Sequence, residues 1–204
     1  MVSWRRRAVS RRASQWCVLG LLTVAAGCSV GQGQGELSGH VVAPECEIDE
    51  PMYELAPSFF SGEVTADQLN IRIQRGSEIE GYSDGLMIQV RDVNEVFRNR
   101  IGLPIEIDAH ETSLVQAVFY LNQSCPSGFP DFFVTQPVIM EAQSGAIVFH
   151  AIYAPDIEPG AVLIEGELID VRFAATDAPE ETNGSLSGTF SFFYQRGSPA
   201  QRFP

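Results

Sequence analysis

Lysine is missing from this 204-residue chain: its 13 basic residues are all Arg, set against 26 acidic ones. Tryptophan is missing after Trp16. Long apolar runs are missing too. Trp16 to Ala26 holds 11 residues, and crossing a bilayer takes roughly 20. There is no H-E-x-x-H pair and no phosphate-cradling glycine loop. The usual marks of metal-assisted hydrolysis and nucleotide binding are therefore absent. What remains is ordinary for a globular protein. The apolar share of 45% and charged share of 19% exclude a collagen, a coiled coil and a fully disordered polymer.

The charge is unevenly spread. Five of the 13 Arg lie in residues 1–27, which hold no acid. Eight Arg then face all 26 acids, a formal charge of −18 for residues 28–204. So negative a chain excludes nucleic acid as a partner, because a phosphate backbone demands cations. The basic N-terminus, the short apolar run and the small residues that close it have the anatomy of a cleavable export signal. Ser10-Arg11-Arg12 begins like a twin-arginine signal, but Ala13-Ser14-Gln15 does not continue it.

Ala25-Ala26-Gly27-Cys28 resembles the lipobox of bacterial lipoprotein precursors, with Ala25 where that family prefers Leu. The resemblance covers residues 1–28. It implies cleavage before Cys28 and a diacylglycerol on its thiol, so that the membrane becomes a partner through lipid on Cys28. Two or more acyl chains hold firmly where one does not. Ser29 is compatible with an outer-membrane destination. The alternative is cleavage after Ala26, giving a soluble secreted protein.

Removing residues 1–27 takes Cys17 away, and lipid occupies Cys28. Cys46 and Cys125 remain, and in an oxidising compartment a disulfide between them is the default reading, with two buried thiols as the alternative. Neither has a Cys or His at two to four residues, so no zinc site is expected. Residues 28–35 read as the lipidated Cys and a flexible Gly/Gln tether, and 36–204 as one domain.

The periodicity is of strand type. Leu69, Ile71 and Ile73 alternate with polar residues, Leu86 to Val90 follows an Asp84-Gly85 turn signal, and Val115 to Leu121 suits a central strand. Val138 to Glu141 and Ala146 to Ile152 look like a hairpin around Gln143-Ser144-Gly145. Leu37–Val42, Phe59–Thr65, Ile105–Ile107, Leu168–Ala174 and Ser187–Tyr194 complete nine or ten strands. Glu45–Glu54 and Asn122–Pro130 read as loops, Thr176–Gly184 as a polar connection and Gln195–Pro204 as a tail. One short helix is expected near Val93, Val96 and Phe97, with Asp92 as its N-cap. Gly35–Gly39 and Gly184–Gly188 share a G-x-L-S-G pattern, read as a common turn geometry. Together these predict an all-β fold: a single antiparallel β-sandwich, or barrel-like, domain.

The histidines and carboxylates form no recognised motif. His40, His110 and His150 are scattered, although His110-Glu111 follows Asp108. Glu78/Glu80, Glu106/Asp108 and Glu165/Glu167 are i, i+2 pairs that share a face of an extended segment. Such pairs form a solvated acidic face, a cation site or an acid and base pair. Phe59-Phe60, Phe132-Phe133 and Phe192-Phe193 are doublets, each with one member expected to leave the core. They suit a second buried face, a loop plug or an exposed aromatic patch. No catalytic residue, metal or cofactor is implied. The expected role is a non-catalytic, lipid-anchored envelope protein that contacts another envelope protein. The alternative is a binding module for a cation, glycan or small apolar molecule.

Overall fold

The computed structural model describes residues 32–76, 80, 83–110, 112–125 and 138–195. Ten strands and one helix are found among them: β1 (Gly33–Ala43), β2 (Ile48–Glu54), β3 (Phe59–Thr65), β4 (Gln68–Gly76), β5 (Ser83–Val90), α1 (Val93–Asn99), β6 (Pro104–Glu106), β7 (Val115–Leu121), β8 (Val138–Ala151), β9 (Leu163–Ala175) and β10 (Asn183–Phe193). The strands join in one antiparallel sheet, ordered β2-β1-β10-β9-β8-β7-β5-β4-β3, with β6 beside β8. The sheet curls into a half-barrel, the barrel-like form of the expected all-β fold.

Alternation decides which side is the core. Leu69, Ile71 and Ile73 of β4, and Leu86, Ile88 and Val90 of β5, are fully buried on the concave side. Each such side chain contributes roughly 1.5–3 kcal/mol relative to exposure. Rings from strands that are not neighbours meet across this side. Tyr53 of β2 lies edge-on to Phe119 of β7 at 5.6 Å, and Phe119 approaches Phe173 of β9 at 5.8 Å. Phe60 of β3 reaches Phe192 of β10 at 5.9 Å, which draws the end of the sheet order back toward its beginning.

The curl has a local cause. The pairing slips between Gly39 and Val41 on β1, Leu186 and Gly188 on β10, and Ala142 and Ala146 on β8. These slips are adjacent across the sheet. Gly145 of β8 (φ 126°) packs so closely that an added Cβ would lie 2.5 Å from Val171 Cα. Asp170 of β9 (φ 45°) donates its backbone N–H to Ser187 Oγ at 2.9 Å. A bulge bends its strand and increases the twist, so a row of them forms a crease across β8, β9, β10 and β1.

Several expectations change. The Glu45–Glu54 loop is a one-turn 3-10 segment (Pro44–Cys46) followed by β2. An outermost strand tolerates Pro51 and the acids that made it read as a loop. The hairpin at Gln143–Gly145 is a bulged stretch of the single strand β8. Asp84-Gly85 is not a turn but part of β5. The two G-x-L-S-G segments are not turns either, since they pair with each other. β1 begins at Gly33, inside the segment read as tether, because Gly33 already pairs with Phe192. Helix α1 forms where expected, with Asp92 Oδ1 accepting from Glu95 N–H at 2.8 Å.

Candidate functional site

Among the described residues the most densely bonded polar group is Asp84, a fully buried carboxylate near the start of β5. Its Oδ1 accepts three consecutive backbone N–H groups, from Asn122, Gln123 and Ser124, at 3.1, 3.0 and 2.9 Å. Its Oδ2 accepts from Ser124 Oγ at 2.5 Å, from Tyr53 Oη at 3.3 Å and from the Arg75 guanidinium. Arg75 also lies 5.4 Å from the centre of the Tyr53 ring. Burial first, and then the charge of Asp84, pushes the Tyr53 phenol well above its ordinary pKa. The next residue along, Cys125, is bonded to Cys46. The carboxylate, the cation and the disulfide thus fasten the chain after β7 to β4, β5 and the start of β2. Asp84 is saturated with donors, and this is the geometry of a structural anchor.

The convex side of β3, β4 and β5 carries a cleft of about 580 Å³. Glu63, Asn70, Arg72, Glu80, Met87 and Gln89 line it. Arg72 Nη1 and Glu80 Oε2 are 3.5 Å apart, and Gln89 Nε2 donates to Asn70 Oδ1 at 3.3 Å. Next to it, Phe59, Gln74, Gly85 and Tyr120 follow one another across four strands on the same side. Gly85 leaves room for the Tyr120 ring, since an added Cβ would meet Tyr120 Oη at 2.4 Å. That hydroxyl is buried and has no hydrogen-bond partner among the described residues. Burial, and then the nearby Glu80, raises its pKa, while Arg72 acts in the opposite direction.

The residues singled out in the sequence are dispersed. The Cys46–Cys125 disulfide is formed. Cys28, the signal segment, Ser29–Gly31 of the tether, Glu78, Glu111, Phe132, Phe133 and residues 196–204 lie outside the described residues. Asp108 accepts from Ser113 Oγ and from His110 N–H, and these bonds lower its pKa. Glu165 and Glu167 share the outer side of β9, and Glu167 lies 3.9 Å from His150 on β8. No group of three or more His, Cys, Asp or Glu able to hold a metal ion occurs among the described residues. Phe59 and Phe60 are both buried on opposite sides of β3, the second buried face that the doublet suited. Phe192 is buried and Phe193 is 63% exposed, as a strand doublet should be.

Compared with known proteins, the chain matches no family, no curated protein and no solved structure.

Proposed function

We propose that this chain is a non-catalytic lipoprotein of a bacterial cell envelope, anchored through lipid on Cys28 and working by contact with another envelope protein. One observation supports the export that anchoring requires: Cys46 and Cys125 are joined in a disulfide, and the sheet it fastens begins at Gly33, five positions after Cys28. A cut before Cys28 would remove none of the described strands. The Cys46–Cys125 disulfide suits the oxidising compartment to which export leads. The buried carboxylate, Asp84, is committed to holding the fold, which leaves the exposed surface for binding.

The test is an intact mass of the protein from its native host, followed by photo-crosslinking. Amine-reactive reagents are unsuitable, because the chain has no Lys. A photo-reactive residue at Glu63 on the cleft rim should capture one discrete envelope protein, and Arg72→Ala should abolish the capture. A lipid-sized mass gain is expected on Cys28. An unmodified chain starting at Gly27 would overturn the anchor.

A second reading is favoured by the cleft itself. Two amides, one Arg and two carboxylates around Met87 suit a small polar ligand such as a glycan. A sugar that raises the melting temperature, with no effect on Arg72→Ala, would favour this reading over a protein partner.

A further inference from the structure

We infer that the end of the sheet formed by Gly33, Leu163 and Phe193 rests on the lipid surface, with Phe193 inserted among the headgroups. The inference rests on lipidation of Cys28. Only four residues separate Cys28 from Gly33. Five Cα steps reach about 18 Å when fully extended, so the first residues of β1 are held near the bilayer.

The register identifies what stands there. Gly33 pairs with Phe192, and Phe193 pairs with Leu163. Phe193 is thus the neighbour of the chain at the point where it leaves the ladder toward Cys28. It is 63% exposed, and Leu163 is half-buried. A phenyl ring beside an anchored strand end meets the interface with its apolar surface, where burial is favourable.

Charge follows the same polarity. The turn after α1 hangs from the same strand ends, because Gly102 N–H donates to Phe149 O near the end of β8. That turn exposes Ile101 and Leu103 beside Arg98 and Arg100. Asp156 and Glu158 of the β8–β9 connection share this end, with Asp67 of the β3–β4 turn and Asp92 and Glu95 at the start of α1. At the opposite end the carboxylates have no Arg among them. Glu45, Glu47 and Asp49 stand there with Asp177, Glu180 and Glu181 of the β9–β10 connection, all exposed. Ten strand steps, about 34 Å, separate Gly33 from Ala43 at that end. The domain so placed turns its densest negative charge away from anionic headgroups, where repulsion is screened over about 8 Å at physiological salt.

The sequence supplies a clean reporter. Both native Trp, Trp4 and Trp16, precede Cys28, so the cleaved chain contains none. Phe193→Trp places one at the inferred contact. Met52→Trp places one on β2, beside the Gly39–Val41 slip, about 20 Å further along the sheet. Met52 is 86% exposed. Each protein, expressed with its leader, is checked by intact mass and circular dichroism. It is then reconstituted into phosphatidylcholine–phosphatidylglycerol vesicles with or without brominated acyl chains. The expected result is at least a twofold loss of Trp emission for Phe193→Trp on brominated vesicles and no change for Met52→Trp. A lipidated, vesicle-bound Phe193→Trp protein quenched no more than Met52→Trp would overturn the inference and leave the anchor standing. A chain whose mass shows no lipid would overturn both.

Discussion

Gly39 and Gly188 occupy the same place in two G-x-L-S-G segments that pair antiparallel about Ser38 and Ser187. Leu37 faces Gly188, Gly39 faces Leu186, and the two serines face each other. A Cβ on Gly39 would lie 1.8 Å from Ser185 O, and one on Gly188 would lie 1.9 Å from Glu36 O. Each contact is to the second residue of the other copy. The likeness of the two segments is therefore a shared packing requirement: both strands must pass without a side chain at the crease. Gly39→Ala should cost about 1–3 kcal/mol through overpacking. Gly188→Ala should cost roughly twice as much, since its φ of 137° adds backbone strain. Gly160→Ala, with open space around it, should be neutral or stabilising by about 0.4–1 kcal/mol. Urea unfolding midpoints rank the three variants, and equal midpoints for Gly188→Ala and Gly160→Ala would refute the argument.

Asp84 takes six hydrogen bonds, three of them at Oδ1 from successive backbone N–H groups. Removing a buried, paired carboxylate leaves those donors and the Arg75 charge uncompensated. Asp84→Ala should destabilise the fold by about 3–5 kcal/mol. Asp84→Asn keeps one acceptor oxygen and should cost less. Chemical denaturation of both variants checks the order.

Cys125 follows the Asp84-bound run directly, so the disulfide and the carboxylate fasten the same residues. Cys46 and Cys125 are 79 positions apart, and closing a loop of this size stabilises by about 4 kcal/mol through lost chain entropy. The Cys46→Ser, Cys125→Ser pair should lose about that much. Combined with Asp84→Ala, the total loss should be smaller than the sum, because one anchor is already gone when the other is removed. Additive losses would show that the two act on different parts of the fold.

Much of the sheet was legible because burial is one-sided: β4, β5, β7 and β10 alternate, and alternation is a property of neighbouring residues. Helix α1 was legible for the same local reason, with Asp92 three positions before the N–H it caps. Asp84 was not. An Asp-Gly pair normally marks a turn, and the donors that bury this Asp lie 38 to 40 positions away. β2 was hidden by Pro51 and its acids, which only an outermost strand accommodates. The crease was hidden because register slips depend on the partner strand. The convex cleft gathers residues from β3, β4 and β5 that have no common spacing in sequence.

Tyr53 and Tyr120 predict an alkaline limit to stability. Both phenols have folded pKa values raised above the ordinary value of about 10, chiefly by burial. The unfolded chain therefore loses these protons first. Their contribution is complete below pH 10 and falls as the pH rises above it. The two differ at neutral pH. Tyr53 donates to Asp84, so Tyr53→Phe should cost about 1 kcal/mol. Tyr120 Oη has no partner among the described residues, so Tyr120→Phe should be neutral or stabilising by about 1 kcal/mol. Both variants should show a shallower loss of stability above pH 10 than the native chain. Phenolate absorbance followed during an alkaline titration, with no Trp after Cys28 to obscure it, reads the ionisation directly. If Tyr120→Phe left the alkaline slope unchanged and lowered stability at neutral pH, the hydroxyl would have a partner and the cleft would need to be redrawn around it.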